Sequence, residues 1–497
     1  MDAEILAAAR ARSRREQGSP PCDCSSKDKP VNGRFARILN LKLSPSVPTM
    51  PVAEPDVRFF EIHGERLAFD ANSLCLLHAG EELFEELKAF GEPSNPQSAF
   101  RNPQPAPAFR GLLFSHDKPQ FRLARASGKI RRLVLNVTRA CNLACKYCFA
   151  GGHREEPTMS LDTAIRGIAL TDPRAPVDIA FFGGEPLLAW DLVRRVMHEA
   201  SRLAKERGVS AKFHITTNGT LLDEEKLHFL KDRPCSLLVS LDGPKDIHDA
   251  ARPFRAANTF PLSHPSSFDS VMNALQTAAE LGMGKRIMAR ATFMAADARL
   301  VERLDFFSRI QDAGLIGGYS IEPAVMNEGC ARRGDESFDR AALAAEYHAA
   351  AEWFVQRVRR KRSASFFHFR KLLERIVLAK HAGSECGAGN GYVTVAPEGT
   401  IHACHREGTP IGHVDYGIDE ERRAAWTDNR LYKRPGCMRC WARYLCGGGC
   451  RQARLELGGD LDAPVPGRCF IQRTLLRECF WILSQLSRNE IERVVRT

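Results

Sequence analysis

The chain of 497 residues has no uninterrupted apolar run approaching the roughly 18 residues that a membrane span requires, so no membrane association is expected. Its opening segment, MDAEILAAARARSRREQGSP, lacks an apolar core of the kind that directs export, and a cytoplasmic location is the expectation. Also missing are a recognised nucleic-acid-binding motif and aromatics interleaved with the basic residues, so the net charge of +11 does not point to a nucleic-acid partner. The densest basic run, Arg357, Arg359, Arg360, Lys361 and Arg362, is expected to be a solvated helix face. Apolar residues at 44% and charged residues at 26% exclude wholesale disorder and collagen-like structure. The length allows two to four domains at about 100 to 200 residues each.

What the sequence does have is cysteine, sixteen residues in all. A reducing cytoplasm disfavours disulfides, so clustered cysteines there point to metal or redox chemistry. Cys141, Cys145 and Cys148 fall together, and seven more run from Cys386 to Cys469. Cys22 and Cys24 form a weak metal signal, whereas Cys75, Cys235 and Cys479 sit among apolar neighbours and are expected to be buried packing residues.

Residues 1–52 carry little apolar periodicity and read as a mobile arm. Residues 53–92 read as a small α+β module, with short strands separated by His-Gly and Asp-Ala-Asn turns and then a helix over EELFEELKAF. A Pro-rich linker is expected over 93–128. From 129 to 330 the strand-like runs RRLVLNV, VDIAFFGG, AKFHITTNG, SLLVSLDG, RIMARATF and YSIEPAV alternate with helical stretches. Six βα units imply an α/β fold, a parallel sheet curled as a partial (β/α)6 TIM-like barrel, with ligands at the C-terminal ends of its strands. Residues 331–385 read as a helical connector, 386–480 as a separate cysteine-rich cofactor domain, and 481–497 as a C-terminal helix or tail.

In LNVTRACNLACKYCFAGG the three thiols occupy a loop after the first barrel strand. Zinc usually takes a fourth protein ligand, for which His153 is near, whereas a four-iron cluster on three thiolates leaves one iron open to a small molecule. This segment closely resembles the C-x3-C-x2-C signature of radical S-adenosylmethionine (SAM) enzymes. The resemblance implies that the methionyl amine and carboxylate chelate the open iron, and that an electron from the cluster cleaves the sulfonium to give a 5'-deoxyadenosyl radical that abstracts hydrogen from substrate. Tyr147 is expected to pack against the cluster or the adenine.

Further motifs carry the same resemblance. Gly183, Gly184, Glu185 and Pro186 match the GGEP element, which implies that their backbone and the acidic side chain receive the methionyl ammonium. Asn218 ends the third strand, and Ser240 and Asp242 end the fourth, a position the family uses for ribose contacts. Arg290 resembles the residue that pairs with the methionyl carboxylate, and Glu322 is placed either to close the pocket or to form a structural ion pair.

The C-terminal pattern is Cys386, twelve residues, Gly399, four residues, Cys404, then Cys437-x2-Cys440-x5-Cys446-x3-Cys450, and Cys469. It resembles the SPASM extension of peptide-modifying radical enzymes, with two zinc sites as the other reading. The resemblance implies one auxiliary cluster on Cys437, Cys440, Cys446 and Cys469 and another on Cys386, Cys404 and Cys450, hence three 4Fe-4S clusters in the chain. The second auxiliary group lacks an evident fourth thiolate. Either His381 or Cys330 substitutes, or an iron stays open to a substrate thiol. Sulfatase maturases carry a catalytic aspartate after the second cysteine, and here that position is His405, a residue able to move protons.

The nearest resemblance is to maturases that form thioethers in ribosomally made peptides, of the six-cysteine peptide and quinohemoprotein amine dehydrogenase types. It implies a cysteine-containing peptide or protein substrate and a flavodoxin- or ferredoxin-type electron donor. Formylglycine formation and carbon-carbon crosslinking are the enzymatic alternatives, and an iron-sulfur redox sensor is the non-enzymatic one. The N-terminal module resembles leader-peptide recognition modules, in which a strand edge pairs with the leader.

Overall fold

The computed structural model describes residues 36–39, 56–91, 113, 129–150, 157–255, 265–324, 339–383, 386–428, 431 and 434–496. Cys22, Cys24, His153 and Cys330 lie outside them, as do most of the expected arm and linker. The chain divides into two compact units, one within residues 1–118 together with 377–379, the other formed by the remainder.

In the first unit an antiparallel sheet has the order β1 (Ala36–Ile38), β4 (Leu76–Ala79), β3 (Glu65–Asp70), β2 (Val57–Ile62). His63 and Gly64, both with positive φ, make the tight β2–β3 turn. Asp70 closes the next turn by accepting the backbone N–H of Asn72 at 2.7 Å and of Ser73 at 3.0 Å. Helix α1 (Glu81–Gly91) buries Leu83, Phe84 and Leu87 against Ala68, Cys75 and Leu77. Strand β1 falls inside the stretch expected to be an arm, because three paired residues are too few to leave a period in the sequence.

The second unit is built on a ten-stranded sheet. Its parallel part runs in chain order: β5 (Arg132–Thr138), β6 (Val177–Gly183), β7 (Ala211–Thr217), β8 (Cys235–Ser240), β9 (Ile287–Phe293) and β10 (Gly318–Pro323). Helices connect these strands, as the alternating pattern implies. On one face Ile179, Phe181, Phe213, Ile215, Leu237, Val239, Ala289 and Ala291 are buried, while their neighbours on the other face are half-buried or exposed. Cys235 and Cys479 are buried.

Beyond β10 come helices α2 (Arg340–Arg359) and α3 (Phe367–Val377). Strand β11 (Tyr392–Val395) then pairs parallel with β5, and β12 (Thr400–His402), β13 (Pro410–His413) and β14 (Gly417–Ile418) add antiparallel. The cysteine-rich segment, expected as a separate domain, therefore starts as part of the barrel's own sheet. Its strands are too short to announce that pairing in the sequence. A final long helix, α4 (Pro466–Gln485), runs across the expected boundary at 480 because Phe480, Ile482 and Leu483 continue its buried face. Among the described residues no helix is long and apolar enough to cross a membrane.

Candidate active site

The loop after β5 carries Cys141, Cys145 and Cys148, all free thiols. Segment 251–255 pins it: Ala144 N–H donates to Pro253 O at 2.8 Å, Lys146 N–H to Ala251 O at 3.0 Å, and Arg255 Nε to Cys141 O at 3.0 Å. Two further donors face sulfur. Asn218 Nδ2 lies 3.9 Å from Cys141 Sγ, and Arg252 Nη1 lies 3.9 Å from Cys145 Sγ. Burial pushes the Cys141 thiol up to about 12, with Glu185, Cys145 and Cys148 adding to the effect. Three thiolates cannot share such a loop without a cation among them. This donor set, three sulfurs with hydrogen-bond donors turned toward them, fits a thiolate-held iron cluster.

Each GGEP residue has a place in the scaffold. Gly184 N–H donates to Thr138 O at 2.7 Å and Glu185 N–H to Ala140 O at 2.8 Å, so β6 carries the start of the cysteine loop on its end. A Cβ on either Gly183 or Gly184 would come within 2.2 Å of a backbone oxygen of that loop, which is why neither position admits a side chain. Pro186 opens a buried 3-10 turn, Pro186–Ala189. The Glu185 carboxylate is fully buried and accepts from Leu187 N at 3.0 Å, Thr217 Oγ1 at 2.7 Å and Asn218 N at 2.7 Å. Burial raises its pKa to about 7 against the lowering effect of those hydrogen bonds. The expectation had this side chain presented to a ligand. In the structure it ties the ends of β6 and β7 together, a part that the motif alone does not disclose.

Asn218 donates to Asn142 Oδ1 at 2.7 Å, linking the end of β7 to the cysteine loop. Asp242, expected near a ribose, is wholly buried and its carboxylate is committed inside the protein. It accepts the Tyr147 hydroxyl, Arg252 Nη2 at 3.1 Å and Thr292 N at 2.9 Å. Tyr147 thus hydrogen-bonds the end of β8, where a cluster or adenine contact was expected. Ser240 is half-buried and sits in register with Arg290 on β9. Arg290 is exposed, donates to Ser320 Oγ at 3.3 Å and keeps most of its guanidinium available to a ligand. Glu322 pairs with His368 at 3.0 Å; burial opposes the charge, but His368, Arg290 and Arg468 outweigh it and lower the carboxyl to about 2. Of the two roles expected for Glu322, the ion pair is present.

The remaining cysteines fall into two groups. Cys404 is raised to about 12 by burial and then by Cys450 and Cys386, which places those three together. The Tyr392 hydroxyl hydrogen-bonds Cys404 and feels Cys386 and Cys450 as well. Cys469 is raised by burial and by Cys437 and Cys440, against Arg473. Cys446 closes a short helical turn, Arg443–Cys446. Buried arginines surround both groups. Arg454 donates to Cys437 Sγ at 3.2 Å, Arg434 pairs with Asp462 at 2.9 Å, and Arg451 keeps a buried Nε without a hydrogen-bond partner among the described residues. Burial and Arg434 lower Arg451 to about 10. Such an excess of buried cations suits anionic thiolate centres. His381 packs its ring on Tyr444 with centroids 5.6 Å apart.

His405 connects the two halves. Its ring packs on Phe182 at 4.9 Å and on Phe149 at 6.4 Å, one residue beyond Gly183 and Cys148 respectively in opposite directions along the chain. These three rings, with Gly183, Gly184 and Arg406, wall a cavity of about 370 Å³. Burial, then Arg290 and Arg406, lower His405 to about 4, so its imidazole is neutral near pH 7. Beside it, Arg139 is held by Glu407 at 2.8 Å and Glu398 at 2.9 Å, which fixes the segment after Cys404 to the segment before Cys141.

Arg252, His248, Phe149 and Phe182 were missed by the sequence reasoning. The first two lie in a helical stretch with no motif, and the phenylalanines adjoin motifs but read as packing residues.

Residues 135–294 match the Radical SAM superfamily. This chain is a radical SAM enzyme. Membership implies a 4Fe-4S cluster and SAM, and the donor set on the Cys141 loop fits that cluster. Over 74% of this chain and 95% of its own length, the Fe-coproporphyrin III synthase of Methanosarcina barkeri is 26% identical. A cysteine-type anaerobic sulfatase-maturating enzyme of Clostridium perfringens is 24% identical over 72% of this chain and 98% of its own. The structure of native anSMEcpe with bound AdoMet and Cp18Cys peptide shares the radical SAM enzyme's fold with a TM-score of 0.57 at 20% identity, covering 73% of this chain and 99% of that one.

Proposed function

We propose that this radical SAM enzyme is a maturase that modifies a peptide or protein by joining a substrate cysteine sulfur to a substrate carbon. One observation carries the reading: a single cavity is walled by Phe149, next to Cys148, and by His405, next to Cys404. A substrate held there lies between the loop that begins hydrogen abstraction and the Cys386, Cys404 and Cys450 group. A peptide substrate is supported by the peptide named in the anSMEcpe structure and by the maturase among the relatives.

Bound to their thiolates, the clusters would supply, with SAM, the one-electron chemistry that produces a carbon radical and takes up the electron left over when sulfur and carbon join. The chain's own residues do the rest. Arg290 would receive the SAM carboxylate, with Asn218 and Ser240 at the neighbouring strand ends. The Asp242, Tyr147 and Arg252 assembly holds the first cysteine loop in one shape. The phenylalanine rings keep water from the cavity, and the His405 imidazole, neutral near pH 7, offers a substrate thiol a hydrogen-bond partner there. Cys437, Cys440, Cys446 and Cys469 would hold the third cluster, and an electron donor of flavodoxin or ferredoxin type would reduce the first.

The test uses anaerobically reconstituted full-length protein with dithionite and SAM. It should release 5'-deoxyadenosine, and a cysteine-containing substrate peptide should lose two hydrogens without gaining oxygen. Substrate with serine in place of the reactive cysteine should leave the auxiliary cluster spectrum unchanged, whereas the cysteine form perturbs it. Formylglycine as product, or equal perturbation by both peptides, refutes the thioether assignment.

A further inference from the structure

The basic run at the end of α2 takes no part in the site just described. Its Lys361 and Arg362 line a second cavity of about 800 Å³, at the free edge of the sheet, together with Arg370 and Lys371 of α3 and Arg493 near the C-terminus. Among the described residues Glu374 is the one carboxylate in the lining, and it is engaged by Lys380 at 2.6 Å. Lys361, Arg362 and Arg370 have no ion-pair partner among the described residues. Three cationic groups gathered without ion-pair partners among the described residues repel one another, so an arrangement of this kind is offset by whatever anion it binds.

The same cavity is also apolar. Of the large hydrophobic residues exposed in the structure, Met288 at 40% and Phe367 at 45% both line it. Met288 lies over Gly318, where a Cβ would approach its sulfur to 2.9 Å, so the glycine lets the thioether lie flat as a floor. Exposed methionine makes an adaptable surface for varied apolar side chains. Isolated surface hydrophobics are ordinary, but two inside a cationic cavity are a recognition pattern.

The position separates this cavity from the radical chemistry. It opens at the beginnings of β9 and β10, whereas the cysteine loop and GGEP lie at the far strand ends. From Gly318 to Pro323 the chain rises about 17 Å at roughly 3.3 Å per residue. A ligand here is held away from the reacting atoms.

Building on the maturase reading, we propose that this groove is an exosite for an acidic, extended segment of the peptide substrate, with apolar side chains interleaved among its carboxylates. Charge complementarity, with exposed apolar side chains set among the cations, favours an acidic peptide carrying apolar side chains over a small inorganic anion. Of the two aromatic residues in the described lining, Tyr319 is buried and Phe367 is exposed, so successive bases find no run of stacking platforms, which sets the groove apart from single-strand nucleic-acid channels. The affinity comes from many weak contacts and rises as salt falls.

A fluorescein-labelled synthetic peptide alternating glutamate with leucine is titrated against the full-length reconstituted protein, and anisotropy is read at low and high salt. The expected result is salt-sensitive binding that Arg362→Glu with Arg370→Glu weakens about tenfold, while Lys205→Glu on a remote helix leaves it unchanged. Circular dichroism melts of all variants should coincide, since these side chains carry no ion-pair partner among the described residues. No binding, binding insensitive to the charge reversals, or a labelled oligo-uridine bound more tightly than the peptide would each overturn the exosite. The assay involves no SAM cleavage, so its failure leaves the 5'-deoxyadenosine result standing, and the reverse also holds.

Discussion

Arg252 and Asp242 form a buried ion pair at 3.1 Å, and the other guanidinium nitrogen of Arg252 faces Cys145 Sγ at 3.9 Å. The end of the fourth barrel strand is thereby coupled to the cysteine loop. Removing one partner of such a pair leaves an uncompensated buried charge. Asp242→Ala should cost about 3 kcal/mol, measured by thermal or denaturant unfolding of the apoprotein. Combining it with Arg252→Met should recover a large part of that loss. Equal, additive losses from both substitutions would show that the pair does not act as a unit.

Replacing Cys141, Cys145 or Cys148 by alanine should abolish 5'-deoxyadenosine formation while the fold survives. Iron analysis should then show about four atoms fewer per chain than the parent, which should hold about twelve if three four-iron clusters are present. Zinc in the C-terminal sites after anaerobic isolation would contradict the auxiliary clusters.

Arg290 and Glu185 should separate experimentally. Arg290→Ala removes an exposed side chain with one long hydrogen bond, so unfolding should change by less than about 0.5 kcal/mol while SAM affinity falls in equilibrium dialysis. Glu185→Ala strips three hydrogen bonds from the junction of β6 and β7. It should therefore destabilise the protein by about 2 kcal/mol or more and disturb SAM binding only as a consequence.

His248 supplies a pH test. It is fully buried, its Nδ1 accepts the Asp242 N–H at 3.2 Å, and its Nε2 has no hydrogen-bond partner among the described residues. Burial and Arg252 lower its pKa to about 4, below the value near 6.5 of an unfolded histidine. The unfolded chain therefore binds more protons between those values, so stability is lost as pH falls from about 6.5 toward 4, by up to about 3 kcal/mol. His248→Asn keeps an acceptor near Nδ1 and cannot titrate. Its unfolding midpoint should fall less over that range than the parent's, and parallel curves would remove His248 as the cause.

The six parallel strands and the cysteine groups were legible because period-two apolar runs and thiol spacing survive in a single sequence. Roles within the site were less so. Glu185 and Asp242 look like ligand-binding acids when read along the chain, since nothing local announces that Thr217, Asn218, Tyr147 and Thr292 will claim their oxygens. Arg252 was invisible for the same reason: its partners lie 10 and 107 residues away. The pairing of β11 with β5 joins segments more than 250 residues apart, and four residues of strand carry too little pattern to foretell a partner.

That pairing acts as a ruler. Cys141 follows one end of β5, and Cys404 follows a hairpin that begins in β11, so the spacing between the two thiol groups is set by backbone hydrogen bonds in one sheet. Everything inserted between them in sequence, the remaining barrel strands and the long helices, can lengthen or shorten without moving one thiol group relative to the other. A change in the span of substrate that the enzyme accepts must then come from the side chains lining the gap, Phe149, Phe182 and His405 first, because the frame itself has a fixed reach.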